Sequence, residues 1–196
     1  MVKRNPYLNR SMVRSADGFF GRQRELERVL ARLGAQTPQS TSVVGERRAG
    51  KSSFLWRLAQ EDVRARYLDG PDSYLFVYVD FQGQRHLDLE GFTRTLSRQL
   101  AVAASGRLEL PEATDLTSLE ARVRDLNAAG LRVVGLFDEF ETVATSPAFG
   151  PEFYGFLRSL ATATRWPTSP PPGGSCRPCV AARRSPSRRS STSSPA

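Results

Sequence analysis

The chain has 196 residues, 39% of them apolar and 24% charged, and a formal net charge of +8. That is enough for one domain with a real core. It contains no run approaching eighteen apolar residues, and its start, Met1-Val2-Lys3-Arg4-Asn5-Pro6, has no apolar leader region; both features point to a cytoplasmic protein with no membrane partner. Five of the eight net positive charges sit in residues 166–196, which hold Arg177, Arg183, Arg184, Arg188 and Arg189 and no acid. The basic signal therefore belongs to the tail, and a nucleic-acid partner would be gripped only there, without specificity and with steep salt dependence.

In chain order, Arg22 to Leu33 reads as an amphipathic helix with Leu26, Val29, Leu30 and Leu33 on one face, stopped by Gly34. Thr41-Ser42-Val43-Val44 reads as a short buried strand. It leads into Gly45-Glu46-Arg47-Arg48-Ala49-Gly50-Lys51-Ser52, the G-x-x-x-x-G-K-S spacing of a phosphate-cradling loop, and Ser52 to Ala59 reads as the helix leaving it. The chemistry follows from the residue types. Gly45 and Gly50 permit positive φ and close backbone approach, so that successive N–H groups and the helix N-terminus converge on phosphate. Lys51 brings a compact ammonium to the β and γ phosphates, and the Ser52 hydroxyl is placed for Mg²⁺. Lys51 is one of only two lysines, the other being Lys3, in a chain whose remaining basic residues are arginine. Arg47 and Arg48 fall in the variable stretch of the loop and read as solvated.

Further on, Tyr74-Leu75-Phe76-Val77-Tyr78-Val79 is an apolar run ending at Asp80, and Leu131-Arg132-Val133-Val134-Gly135-Leu136-Phe137 another ending in Asp138-Glu139. Their weak alternation predicts strands buried on both faces, as in a parallel sheet. Leu89 to Ala104, Leu116 to Ala129 and Phe153 to Ala163 read as helices. Strands alternating with helices predict an α/β fold, three layers around a central parallel sheet. Acids at the carboxyl edge of such a sheet stand beside a phosphate loop. Asp138 is thus the candidate to hold the hydration shell of Mg²⁺, and Glu139 the candidate to orient and deprotonate an attacking water.

Three other readings are weaker. Asp80-Phe81-Gln82-Gly83-Gln84 has the D-x-x-G-Q spacing of GTPases, but the chain has no N-K-x-D to read guanine, and Gln82 reads instead as lining the site edge. Cys176 and Cys179 have C-x-x-C spacing with no second pair and no neighbouring histidine, so they read as incidental. His86, the only histidine, has no visible partner in sequence and is assigned no role.

Several segments together resemble the prokaryotic STAND-type and archaeal-type AAA-like ATPases, relatives of the origin-recognition ATPases. They are Asn5-Pro6-Tyr7, Phe19-Phe20-Gly21-Arg22-Gln23-Arg24-Glu25-Leu26, the loop Val44 to Ser53 including Glu46, Ala49 and Ser53, the strand ending Val79-Asp80-Phe81-Gln82, and Leu136-Phe137-Asp138-Glu139-Phe140-Glu141. The resemblance covers roughly residues 5–162. It implies an ATP- and Mg²⁺-dependent switch module of the AAA/ASCE-like P-loop class, with Gly21 and Arg22 near the adenine and with a protein partner or self-association through the ATPase domain. It also implies one more strand, between the phosphate-loop strand and the Asp138 strand, followed by a helical lid.

Residues 1–165 accordingly read as a partial ATPase domain. Trp166 through Gly174 is too rich in proline for a central strand, and residues 166–196 have the composition of a disordered tail. The codons offer a second reading of this tail. Trp is TGG and Pro is CCN, so reading from the third base of the Trp166 codon forces Ala, and the shifted frame then permits Ala-Tyr-Val-Thr-Ala-Ser-Arg-Arg-Glu-Leu. Without the extra strand and the lid, the expectation is nucleotide binding with impaired turnover.

Overall fold

Two nearly uninterrupted apolar runs form the centre of the molecule. β1 (Tyr74–Asp80) and β2 (Arg132–Asp138) pair in parallel, in register from Tyr74 opposite Arg132 to Asp80 opposite Asp138. One further bond, from the Phe81 N–H to the Asp138 carbonyl at 3.0 Å, carries the ladder past the end of β1. The computed structural model describes residues 12–84 and 87–163. Asn5-Pro6-Tyr7, His86, the Cys176/Cys179 pair and the expected tail lie outside the described residues.

Side chains alternate across the sheet, and helices cover both faces. Leu75, Val77 and Val79 face α4 (Leu89–Ala104), α5 (Leu116–Ala128) and α7 (Pro151–Ala163). Tyr74, Val134 and Leu136 face α1 (Gln23–Gly34), α2 (Lys51–Leu58) and α3 (Glu61–Tyr67). The first face carries a cluster of phenylalanines. Phe92 lies edge-on to Phe153 at 4.9 Å between centroids and stacks on Phe81 at 6.0 Å, and Phe149 closes on Phe153 at 4.6 Å. Local signals fix the helix starts on this face. The Asp88 carboxylate accepts from the Gly91 N–H at 2.8 Å to cap α4, and Asp115 and Ser118 form a reciprocal capping box on α5.

The structure departs from the sequence reading at three places. Thr41–Val44 forms no strand: these residues join no sheet pair, and the sheet holds two strands among the described residues. Their burial still alternates, with Thr41 and Val43 half-buried and Ser42 and Val44 exposed. The conformation that suits a strand is present while the hydrogen-bonding neighbour is not. The short helices α3 and α6 (Glu141–Ala144) were not expected. Seven and four residues are too few for helical periodicity to emerge, and each buries a single valine, Val63 or Val143.

Candidate functional site

The phosphate-loop spacing folds as a turn that runs straight into α2, whose first residue is Lys51. Gly50 caps the helix at φ 83°, a conformation that glycine adopts without strain. Gly45 does not adopt positive φ, contrary to expectation; the second left-handed position of the loop is Arg48, at φ 67°. A Cβ at Gly45 would meet only the Ala49 Cβ, at 3.5 Å. The fold itself therefore leaves space beside Gly45, where backbone could approach a ligand closely. Lys51 Nζ donates to the Gly45 carbonyl at 3.1 Å and the Glu46 carbonyl at 3.3 Å, so its ammonium lies across the loop.

Arg22 reaches the same loop from the start of α1, its guanidinium donating to the Ala49 carbonyl at 2.6 Å. Gly21 and Arg22 are both left-handed, with φ 73° and 60°. This bend ties the Phe19–Arg22 segment to the loop, and Phe20 beside it is 79% exposed. Ser53 is engaged elsewhere, its hydroxyl accepting from the Val13 N–H at 2.9 Å. Arg47 and Arg48 are exposed, in keeping with a solvated stretch.

On the opposite side, β2 delivers Asp138 buried, at 4% exposure. One carboxylate oxygen accepts from the Tyr78 hydroxyl at 2.7 Å and the other from the Glu139 N–H at 3.1 Å. Burial, followed by the bond to Asp138, pushes the Tyr78 hydroxyl well above the ordinary tyrosine range, so it remains a donor. Tyr78 is the residue that motif reading misses. A signal for it existed: it lies two residues before Asp80 on β1, on one face and diagonal to Asp138 in the parallel register.

Glu139 turns out of the sheet at φ 54°. Its carboxyl is raised above the usual glutamate value, first by burial and then by the neighbouring carboxylates of Glu141 and Asp138, with the Lys51 charge opposing them. Glu139 and Lys51 thus lie within electrostatic reach of each other. Left-handed backbone costs a non-glycine residue about 1–2 kcal/mol. Among the described residues the non-glycine positions that bear this cost are Arg22, Arg48 and Glu139. Arg22 and Glu139 are sequence-predicted site residues and Arg48 lies inside the phosphate loop, and strain of this kind concentrates at functional sites.

Lys51, Asp138 and Glu139 line one cavity of about 650 Å³. Acidic groups and Lys51 lie at this end, Arg132 at the other end of β2 and Gln39 to Ser42 along one side, and the remaining lining is mainly apolar. No cluster of three or more His, Cys, Asp or Glu side chains suited to a metal occurs among the described residues.

The model of the Novel STAND NTPase 2 family matches residues 35–165, well over half of the chain. The chain belongs to that family. Searches of curated proteins and of solved structures found no match. The family match takes in the phosphate loop, both strands and α7, whereas Gly21 and Arg22 precede it. As a STAND-type NTPase the chain is a nucleotide-binding regulatory domain of mixed helix and strand, built on a small parallel sheet. No described helix is long and apolar enough to cross a membrane.

Proposed function

We propose that the chain is the ATP-binding switch domain of a regulatory ATPase, with Lys51, Ser52, Asp138 and Glu139 as its working core. The observation that carries this reading is the convergence of two distant segments on one cavity, with Lys51 at the start of α2 and the carboxyl end of β2 both on its lining. Lys51 would release the Gly45 and Glu46 carbonyls and neutralise the β and γ phosphates, to which the start of α2 would add its partial positive charge. The Ser52 hydroxyl and the Asp138 carboxylate would hold Mg²⁺ and its waters, and the ion supplies countercharge for the phosphates. Both Asp138 oxygens already accept one hydrogen bond, which fixes their orientation and leaves lone pairs free for water. Glu139, with its raised affinity for a proton, is suited to take one from a water beside the γ phosphate. Gly21 and Arg22 would flank the adenine, consistent with the bond from Arg22 to the loop. The kinship to AAA-like ATPases and a cytoplasmic location belong to the same reading.

A second reading, nucleotide binding without turnover, is favoured by the small size of the sheet, in which β2 pairs with β1 alone among the strands of the described residues. Catalytic groups must be held within a fraction of an ångström, and a strand supported on one edge holds its end less firmly.

Titrating fluorescent ATP and GTP with Mg²⁺ against the full chain tests the binding claim. ATP should bind in preference to GTP, and Lys51→Ala should weaken binding by roughly 10- to 100-fold, the worth of hydrogen bonds to a charged group. Equal binding by the variant would overturn the assignment. Phosphate release that Glu139→Gln abolishes while ATP still binds would favour the hydrolysing switch; release absent from both would favour the second reading.

A further inference from the structure

Most arginines of this fold are engaged. On α4 and α5, Arg94, Arg98, Arg122 and Arg124 each pair with an acid, and Arg57 on α2 pairs with Asp62. Arg22 and Arg107 donate to backbone carbonyls, and Arg64 and Arg66 lie over aromatic rings. Arg24, Arg28 and Arg32 on α1, and Arg47 and Arg48 in the phosphate loop, have no such partner among the described residues. Glu25 and Glu27 stand on the same helix and form no ion pair with them. Residues 1–11, 85–86 and 164–196 contain no Asp or Glu, so no acidic side chain outside the described residues can pair with them either. The charge count alone assigns the basic signal to residues 166–196; pairing within the fold adds a second one, on an ordered surface.

That surface has a definite shape. Arg24, Arg28 and Arg32 recur every four residues, so they form one ridge with steps of about 6 Å along the helix axis. Leu26 and Leu30 are buried on the other side of α1, which seats the helix and turns the ridge to solvent. The Arg22 bond to the Ala49 carbonyl brings the phosphate loop, with Arg47 and Arg48 exposed on it, to the N-terminal end of the ridge. Phe20, 79% exposed, belongs to the segment at that same end. Helix stability does not account for the pattern, because Arg24 lies in the first turn, where the helix dipole disfavours a cation.

We propose that this ridge is a docking surface for single-stranded nucleic acid, gripped through its phosphates by Arg24, Arg28, Arg32, Arg47 and Arg48 and through one base stacked on Phe20. A row of guanidiniums complements a row of phosphates, and an exposed aromatic ring offers its face to an unpaired base of any identity. An anionic membrane is a poorer match: the apolar side of α1 is occupied by the core, so the helix has nothing to insert. An acidic protein is a poorer match as well. The exposed positions between the arginines of α1 are Glu25, Glu27 and Ala31, which provide no apolar centre of the kind that carries protein interfaces.

The test titrates fluorescein-labelled oligothymidylate and oligouridylate of about twelve nucleotides with the full chain, in about 0.1 M salt and without ATP. At least one should bind saturably, and the tighter one identifies the source as DNA or RNA. The triple variant Arg24→Gln, Arg28→Gln, Arg32→Gln should bind roughly 100-fold more weakly, with a log–log salt slope shallower by about 2, since each phosphate contact on a single strand contributes about 0.7. Glutamine keeps the helix propensity of arginine, so urea midpoints should match the parent's. Arg183→Gln, Arg184→Gln, Arg188→Gln removes the same charge from the tail and should cost less than about tenfold. Phe20→Ala changes no charge. It should weaken single-strand binding by at least about fivefold, leave the salt slope unchanged and leave duplex binding as it was. Lys51→Ala should bind the strand as the parent does. No saturable binding, an equal loss in the tail variant, or an unaffected Phe20→Ala would each overturn the proposal. So would loss of the strand in Lys51→Ala, which would put it in the nucleotide cavity. Polyglutamate bound as tightly as the strand, or phosphatidylserine vesicles bound in its place, would overturn it in favour of an acidic protein or a membrane. No ATP is present and Lys51 is dispensable here, so failure is separable from failure of the ATP-binding reading.

Discussion

The two faces of the sheet carry helices of similar number but are finished to different degrees. Around Phe81, Phe92 and Phe153, all at or below 1% exposure, aromatic rings interlock with both strands and with α4, α5 and α7. On the phosphate-loop side, α1, α2 and α3 cover Tyr74, Val134 and Leu136, yet Val44, the last residue before the loop, is 90% exposed. Both regions have enough apolar sequence. What the second lacks, among the described residues, is a strand to pair with residues 41–44, and side-chain burial alone does not provide one. A strand is a cooperative object: apolar residues choose its face, but only a neighbouring edge makes it a strand.

Four substitutions would break or sharpen this contrast. Phe92→Ala in the finished region should cost about 3–5 kcal/mol in urea unfolding, since the surrounding rings cannot all collapse into the space left. Asp115→Ala should cost roughly 1 kcal/mol by removing the carboxylate half of the α5 capping box. In the unfinished region, Thr41→Val should leave stability unchanged or raise it by up to about 1 kcal/mol, because a buried hydroxyl without a partner is replaced by a methyl of the same shape. A clear loss there would mean that Thr41 is already bonded in solution.

The smallest effect concerns pH. The carboxyl of Glu139 is raised in the folded state, so its contribution to stability is full at low pH and is lost as pH rises through that raised value. Glu139→Gln should therefore gain stability relative to the parent on going from acid to neutral pH. Asp115 behaves in the opposite sense. The Ser118 backbone N–H and then its hydroxyl lower the Asp115 carboxyl, so that contribution is present above the ordinary aspartate value and lost as pH falls. Chemical denaturation across that range, on both Asp115→Ala and Glu139→Gln, would give slopes of opposite sign.

The parts of the molecule legible in the sequence are those that local pattern dictates. β1, α4 and β2 fall within a residue of where periodicity puts them, because long apolar runs or amphipathic stretches are bounded by polar caps. The phosphate loop and Asp138-Glu139 are legible as spacings, and Lys51, Asp138 and Glu139 line one cavity. Thr41–Val44 was misjudged because four apolar-leaning residues fix a conformational preference but not a pairing. Tyr78 escaped because its role depends on the register between two strands, set 58 residues apart. Left-handed Arg48 and Glu139 carry no sequence signal, since either residue sits equally well in ordinary backbone.

That same separation governs the order in which the molecule can assemble. Tyr74 and Arg132 bond side chain to side chain across 58 residues, and the parallel ladder above them cannot start until a loop of that size has closed. The closure is entropically slow, and α4 and α5 lie within the loop as local structure that can form in advance. On the ribosome, β1 leaves the exit well before β2 is made and waits with both edges bare. Of the helices that cover its apolar face, α4 is made next and α7 only after β2, so α4 is the one placed to shelter β1 during synthesis.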